Sequence, residues 1–199
     1  MQQTLPQDVL FSPGEAVRLG LDNIDYRRKN RHSAVPVGLA SLDADLLPML
    51  PGELMTIIAR PGGGKTGFMM RWGRERAKWL IKNNKMDRAV VFASCEQTIE
   101  ELDTLGAAAD TRINVSTMAR GEINDVEWVA LEKSAVERGA VPFWWIGPSK
   151  KNRRKRPRIT PEVITQTLLH MEDVTGIKPD ICFVDYLQLL KSDRPNENK

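Results

Sequence analysis

No run of about 18 apolar residues occurs anywhere in this sequence, so nothing in it reads as a membrane-spanning helix and no membrane partner is expected. The N-terminal stretch MQQTLPQDVLFSPGE lacks the basic and then apolar layout of a secretory leader. Cysteine is scarce. Cys95 and Cys182 stand far apart, without the His or Cys spacing of a zinc site, so neither a disulfide framework nor bound zinc is implied. Each lies in or just after an apolar run, where a free cysteine behaves as a small core residue. Internal repeats are missing too, and the expected setting is intracellular.

What is present is an ordinary globular balance of 41% apolar and 28% charged residues over 199 positions, enough for one good-sized domain. The net charge of +3 is unevenly placed. Residues 150–158, KKNRRKRPR, carry seven positive charges, which leaves the rest of the chain mildly acidic. Such a pattern points to one local anion contact rather than a generally basic surface.

Along the chain, residues 12–31 read as a helix: Ser12 caps, Pro13 suits the first turn and Glu15 completes a capping box. Val17, Leu21 and Ile24 follow at helical spacing, and the segment 1–35 is expected to form an arm ahead of a core over 36–199. Leu54–Ala59 is a short apolar run ending in glycines, which fits a buried strand. A helix over 66–83 follows, with Trp72, Trp79, Leu80 and Ile81 expected inward. Strands at Ala89–Ala93, Val141–Ile146 and Ile181–Val184 alternate with helices near 98–110 and 122–138 and with one opened by Thr160-Pro161-Glu162 and closed at Gly176. In Phe143-Trp144-Trp145 the aromatics are expected to fill the sheet core. Short strands separated by helices predict an α/β fold with a mainly parallel sheet covered on both faces.

Strand, glycine-rich loop and helix meet at Pro61-Gly62-Gly63-Gly64-Lys65-Thr66-Gly67, close to the phosphate-loop pattern although Ala59 stands where its first glycine would be. Glycines let backbone N–H groups turn inward as an anion nest, and the helix start adds its partial positive charge. In that pattern Lys65 reaches the outer phosphates of ATP and the Thr66 hydroxyl ligates Mg²⁺. Asp185, at the C-terminal end of the last strand, lies on the edge where such ligands sit and can hold the metal through water, or can simply cap a turn. Glu96 follows its strand by three residues and can orient an attacking water, or can open a helix with Glu100 and Glu101. For Lys150, Lys151, Arg153, Arg154, Lys155, Arg156 and Arg158 three readings stand: nucleic-acid phosphate contact, a solvated loop, or a localisation signal. No aromatic interleaves the run, so no base-stacking platform is expected there.

Four stretches together, GELMTIIARPGGGKT, VVFASCEQT, ARGEINDVEW and ICFVDYLQLL, resemble the RecA-like motor domain of hexameric replicative DNA helicases of the DnaB type. The resemblance runs from about Val37 to Leu190, and DYLQL is its most specific mark. That family accepts alanine at the first phosphate-loop position. The resemblance implies a ring, a hexamer, that hydrolyses Mg-ATP to move along single-stranded DNA in the cytoplasm of a bacterial or phage-infected cell, with a primase or loader as a further partner. It implies Lys65 and Thr66 on nucleotide and metal, Asp185 at the metal and Glu96 as the catalytic glutamate. Residues 12–31 then match the linker helix that docks on a neighbouring motor domain. Such helicases also carry a sensor strand, DNA-gripping loops and an arginine finger beyond DYLQLL, so a core incomplete on its C-terminal side, in a fragment or a natural short form, is expected. Two alternatives stand beside this reading: a RecA- or clock-type ring ATPase that does not unwind DNA, and an ATP-binding assembly module without turnover.

Overall fold

A computed structural model of the chain describes residues 10–152 and 158–185. The backbone divides into two compact units, Met1–Thr56 and Ile57–Lys199. In the first, α1 (Pro13–Asn30) carries the expected reciprocal cap. The Glu15 N–H donates to Ser12 Oγ at 3.4 Å, and the Ser12 N–H donates to the Glu15 carboxylate at 2.8 Å. No residue of α1 is buried, and Val17, Leu21 and Ile24 are all exposed. The Tyr26 hydroxyl donates to the Pro51 carbonyl at 3.2 Å and Arg27 pairs with Glu53, which ties α1 to the turn before residue 54. Between them, α2 (Ala40–Asp43) ends in a carboxylate that accepts from the N–H groups of Val37 and Gly38 at 2.7 and 2.9 Å.

The second unit holds α3 (Lys65–Lys82), β1 (Arg88–Ser94), α4 (Ile99–Thr111), α5 (Val115–Arg120), α6 (Asp125–Gly139), β2 (Phe143–Ile146), α7 (Pro161–Thr175) and β3 (Lys178–Asp185). The strands form a parallel sheet in the order β2-β1-β3, the α/β class expected. Central β1 is buried from Ala89 to Ser94, which is why its sequence is an unbroken apolar run rather than an alternating one. Ala89, Val91 and Ala93 pack with Ile146, Ile159, Ile164 and Met171, so α7 covers that face. On the other face the Phe92 ring lies 6.3 Å from Phe143 and 6.2 Å from Phe183, and Trp72 of α3 meets Phe183 edge-on at 5.2 Å. Because both pairings are parallel, all three strand C-termini lie along one rim of the sheet.

Four expectations need correction. The buried strand over Leu54–Ala59 does not form: Leu54 is 92% and Ile58 89% exposed. Its composition is strand-like, but a strand exists only where a neighbour completes its ladder, and no strand among the described residues pairs with it. In α3, Trp72 and Leu80 are buried as expected, whereas Trp79 and Ile81 remain 36% and 40% exposed. The buried positions 69, 73, 76 and 80 define one stripe, and residues 79 and 81 fall on its flanks. The helix placed over 122–138 begins at Asp125, because Asn124 and Glu127 cap each other, and a separate α5 precedes it. Finally, β2 alternates, so Trp144 is exposed while Phe143 and Trp145 are half-buried against Phe92.

Candidate functional site

The glycine loop owes its shape to three residues that a side chain would spoil. Gly62 and Gly64 have φ of +75° and +78°, the left-handed region that L-residues avoid. Gly63 needs space instead: a Cβ there would stand 2.9 Å from the Arg60 carbonyl oxygen. The Gly63 N–H donates back to that carbonyl at 2.9 Å and closes the turn. Gly64 is the N-cap of α3, which begins without a side-chain cap, so its first-turn N–H groups face outward unsatisfied by any capping side chain. That is the arrangement an anion fits. Pro61 leads into the loop, and Gly67, in the first helical turn, has open space where a Cβ would be.

Lys65 folds back over this loop, its Nζ donating to the carbonyls of Ala59 at 3.2 Å and Arg60 at 3.5 Å. Thr66, one residue on, donates from Oγ1 to Asp185 Oδ2 at 2.6 Å. These two residues are 119 apart in sequence, and the contact joins the start of α3 to the end of β3. Asp185 is buried and Thr66 half-buried. A hydroxyl and a carboxylate are the hard oxygen donors that Mg²⁺ takes, usually with water and phosphate oxygens completing the shell. Among the described residues no cluster of three or more His, Cys, Asp or Glu could hold a metal by itself.

The rim continues through β1. Ser94 is the register partner of Asp185, and the Cys95 N–H donates to the Asp185 carbonyl at 2.7 Å. Glu96 therefore lies on the Asp185 rim, exposed, two residues past the Ser94 pairing. Ser94 Oγ donates to the Gln97 carbonyl at 2.8 Å and accepts from its N–H at 3.1 Å, which locks the bend that carries Glu96. Both cysteines are free and half-buried. Burial, and secondarily the Asp185 carboxylate, raises the Cys95 thiol above its usual range; burial alone pushes Cys182 up to about 11. Neither supplies a thiolate near neutrality.

Of the basic residues, Lys150 and Lys151 stand in a single helical turn just past β2, and Arg158 is exposed beyond it. Arg153, Arg154, Lys155 and Arg156 lie outside the described residues, as does the part of DYLQLL that follows Asp185. The foot of this segment is anchored by a residue without a sequence signal beyond its helix-opening position. Glu100 of α4 accepts from the Ser149 hydroxyl and from the Lys150 N–H at 3.0 and 3.1 Å, while Lys150 Nζ stands 3.5 Å from Glu101. The Ser149 hydroxyl first, and then backbone N–H groups, draw the Glu100 carboxyl down from 4.5 to about 2. Because the folded value is depressed, the anchor is at full strength above the ordinary glutamate range and is lost as pH falls toward 2. Urea unfolding of wild type and Glu100→Gln at stepped pH should show a stability difference that is constant near neutrality and fades in that acid window. A pH-independent difference would mean that the carboxylate charge is not what holds Ser149 and Lys150.

Comparison with known proteins places the chain by family and by fold. The family model described as the DnaB-like helicase C terminal domain matches residues 34–199. The chain is 26% identical over 183 residues to the replicative DNA helicase DnaB of Rickettsia bellii, covering 89% of this chain and 35% of that protein. It is 25% identical over 181 residues to the replicative DNA helicase DnaC of Bacillus subtilis, covering 89% and 36%. The chain thus spans about a third of the length of these curated relatives. Among solved structures, a chain described as an ATPase domain superposes with a TM-score of 0.60 at 22% identity, covering 94% of this chain and 61% of that one, a likeness of fold.

Proposed function

This chain belongs to the family of DnaB-like helicase C-terminal domains, and from that premise we propose that it binds and hydrolyses Mg-ATP as the motor of a replicative DNA helicase. The observation that carries the proposal is the 2.6 Å contact of Thr66 with Asp185 directly beneath an uncapped, glycine-turned helix start. In this reading the N–H groups of Gly62, Gly63 and Gly64 and the start of α3 receive phosphate oxygens. Lys65 would leave its loop carbonyls for the outer phosphates, the Thr66 hydroxyl would ligate the metal, and Asp185, bonded to that hydroxyl, would hold the metal through water. Bound Mg²⁺ supplies charge neutralisation on the phosphate oxygens. Glu96, on the same rim, orients the attacking water and accepts its proton.

The further parts of the proposal rest on the family. A hexameric ring moves on single-stranded DNA in a bacterial or phage-infected cytoplasm, α1 docks its exposed stripe on a neighbouring copy, and a primase or loader joins the full assembly. The cations of 150–158 contact DNA phosphates, without sequence preference and with steep salt dependence. The arm over 1–35 and the motor core over 36–199 divide these tasks.

Titration of this chain with a fluorescent ATP analogue, with and without Mg²⁺, tests the core of the reading. Saturable binding strengthened by Mg²⁺ is expected. Absence of saturation at millimolar nucleotide in both conditions would overturn it.

A further inference from the structure

Helix α3 meets β3 at three levels. At the rim, Thr66 bonds Asp185 at 2.6 Å. Midway, Trp72 abuts Phe183, and Gly73 lets the helix lie close, since a Cβ there would come within 2.6 Å of the Phe143 ring and 3.1 Å of the Phe183 ring. At the far end Arg76 forms a two-pronged pair with Asp180: Nε donates to Oδ2 at 2.6 Å and Nη2 to Oδ1 at 3.1 Å. The guanidinium also lies 4.0 Å over the Trp79 ring. This pair is buried, with the Arg76 and Asp180 side chains 5% and 12% exposed.

The backbone of β3 is bent to make this contact. Pro179 pairs with Ala89 and Ile181 with Val90, so Asp180 is the extra residue of a β-bulge. In an unbroken strand, the alternation that sends Phe183 and Asp185 toward α3 would send residue 180 to the opposite face, with Cys182 and Val184 against the α7 core. A bulge re-aims a side chain, and here it turns a carboxylate toward the helix.

A buried ion pair contributes little net stability, because desolvating both charges offsets their attraction; geometry is what such a pair supplies. Arg76 Nη1 is buried without a partner among the described residues, so the guanidinium forgoes a bond to hold this position. The two ends also match in length. Thr66 to Arg76 spans about 15 Å of helix, and Asp180 to Asp185 spans about 16 Å of strand.

We propose that Arg76 and Asp180 are positioning residues: their fork sets the axial register of α3 on β3, and so the separation of the Thr66 hydroxyl from the Asp185 carboxylate on which Mg²⁺-dependent nucleotide binding rests. A slide of one helical residue, about 1.5 Å, breaks both prongs at once, so the clamp admits one register only. The inference rests on the Mg-nucleotide reading of the rim, and its test separates the two.

Two variants of the full chain serve. Arg76→Lys keeps the charge and loses the fork, whereas the double variant Arg76→Met with Asp180→Asn removes both charges and leaves no orphaned ion in the interior. Hydrogen–deuterium exchange reads the register without ligand. The Phe68 amide, bonded to the Gly64 carbonyl, and the Cys95 amide, bonded to Asp185, are expected to exchange at least tenfold faster, with the amides of central β1 from Val90 to Phe92 unchanged. In nucleotide titrations the ratio of affinities with and without Mg²⁺ is expected to fall about tenfold, with metal-free affinity retained. Unchanged exchange at these amides, or an unchanged Mg²⁺ ratio, would overturn the proposal even if the melting temperature drops. Should wild type bind no nucleotide, the nucleotide reading fails and the exchange result alone decides the clamp.

Discussion

Replacing Lys65 by alanine should lower the affinity for Mg-ATP by about a hundredfold or more, with the fold intact. Charge-assisted hydrogen bonds contribute about 1.5–3 kcal/mol each, and a hundredfold loss corresponds to about 2.7 kcal/mol, so losing the ammonium's contacts to two phosphates suffices. The amino group now bonds only loop carbonyls, at 3.2 and 3.5 Å, and no core contact depends on it. In the proposed role the amino group would give up those carbonyl bonds on meeting phosphate. Titration with the fluorescent analogue beside a thermal melt separates lost binding from lost folding. Affinity within a factor of two of wild type would remove Lys65 from the site and leave the glycine loop a structural turn.

The second large effect is on turnover. Glu96→Gln should leave Mg-ATP affinity unchanged and slow hydrolysis by the assembled ring, with single-stranded DNA present, by about a hundredfold or more, the usual contribution of a positioned general base. The amide matches the carboxylate in shape but cannot accept the proton of the attacking water. Glu96 is exposed and sits on a bend fixed by Ser94 and Gln97, and the isosteric amide leaves that bend in place. Phosphate release at saturating ATP is the measurement. A rate close to wild type would pass the role of orienting water to another group on the rim and return Glu96 to a helix-opening surface residue.

The helix starts were legible in the sequence because their causes lie within four residues. Ser12 with Glu15 and Thr160 before Pro161 are caps that operate wherever the chain goes. The loop was legible for the same reason: Gly62 and Gly64 take their left-handed torsions by local sterics, and Lys65 opens a helix beside them. Strand β1 could be read from its continuous apolar run. The strand expected at Leu54–Ala59 had the same kind of composition and failed, since pairing is not a property of one segment. Trp79 and Ile81 misled in a similar way, their apolarity giving no sign of which flank of α3 they would occupy.

The Arg76–Asp180 clamp had no sequence signal at all. Period-two alternation assigns Asp180 to the wrong face, and only the bulge opposite Ala89 and Val90 corrects it. Glu100 was visible as a helix-opening acid but not as the anchor of Ser149 and Lys150, some 50 residues further on.

The amino-acid order by itself therefore determined the α/β alternation and the internal shape of the glycine loop, which follow from torsional and capping preferences of short range, while the family was legible through the resemblance of four stretches. Tertiary structure joined Thr66 to the anticipated Asp185, set Glu96 beside it through strand register, and alone decided how helix α3 is held against β3. Those depend on strand register and helix docking, whose free energy comes from groups as far as 119 residues apart, and no local preference encodes them.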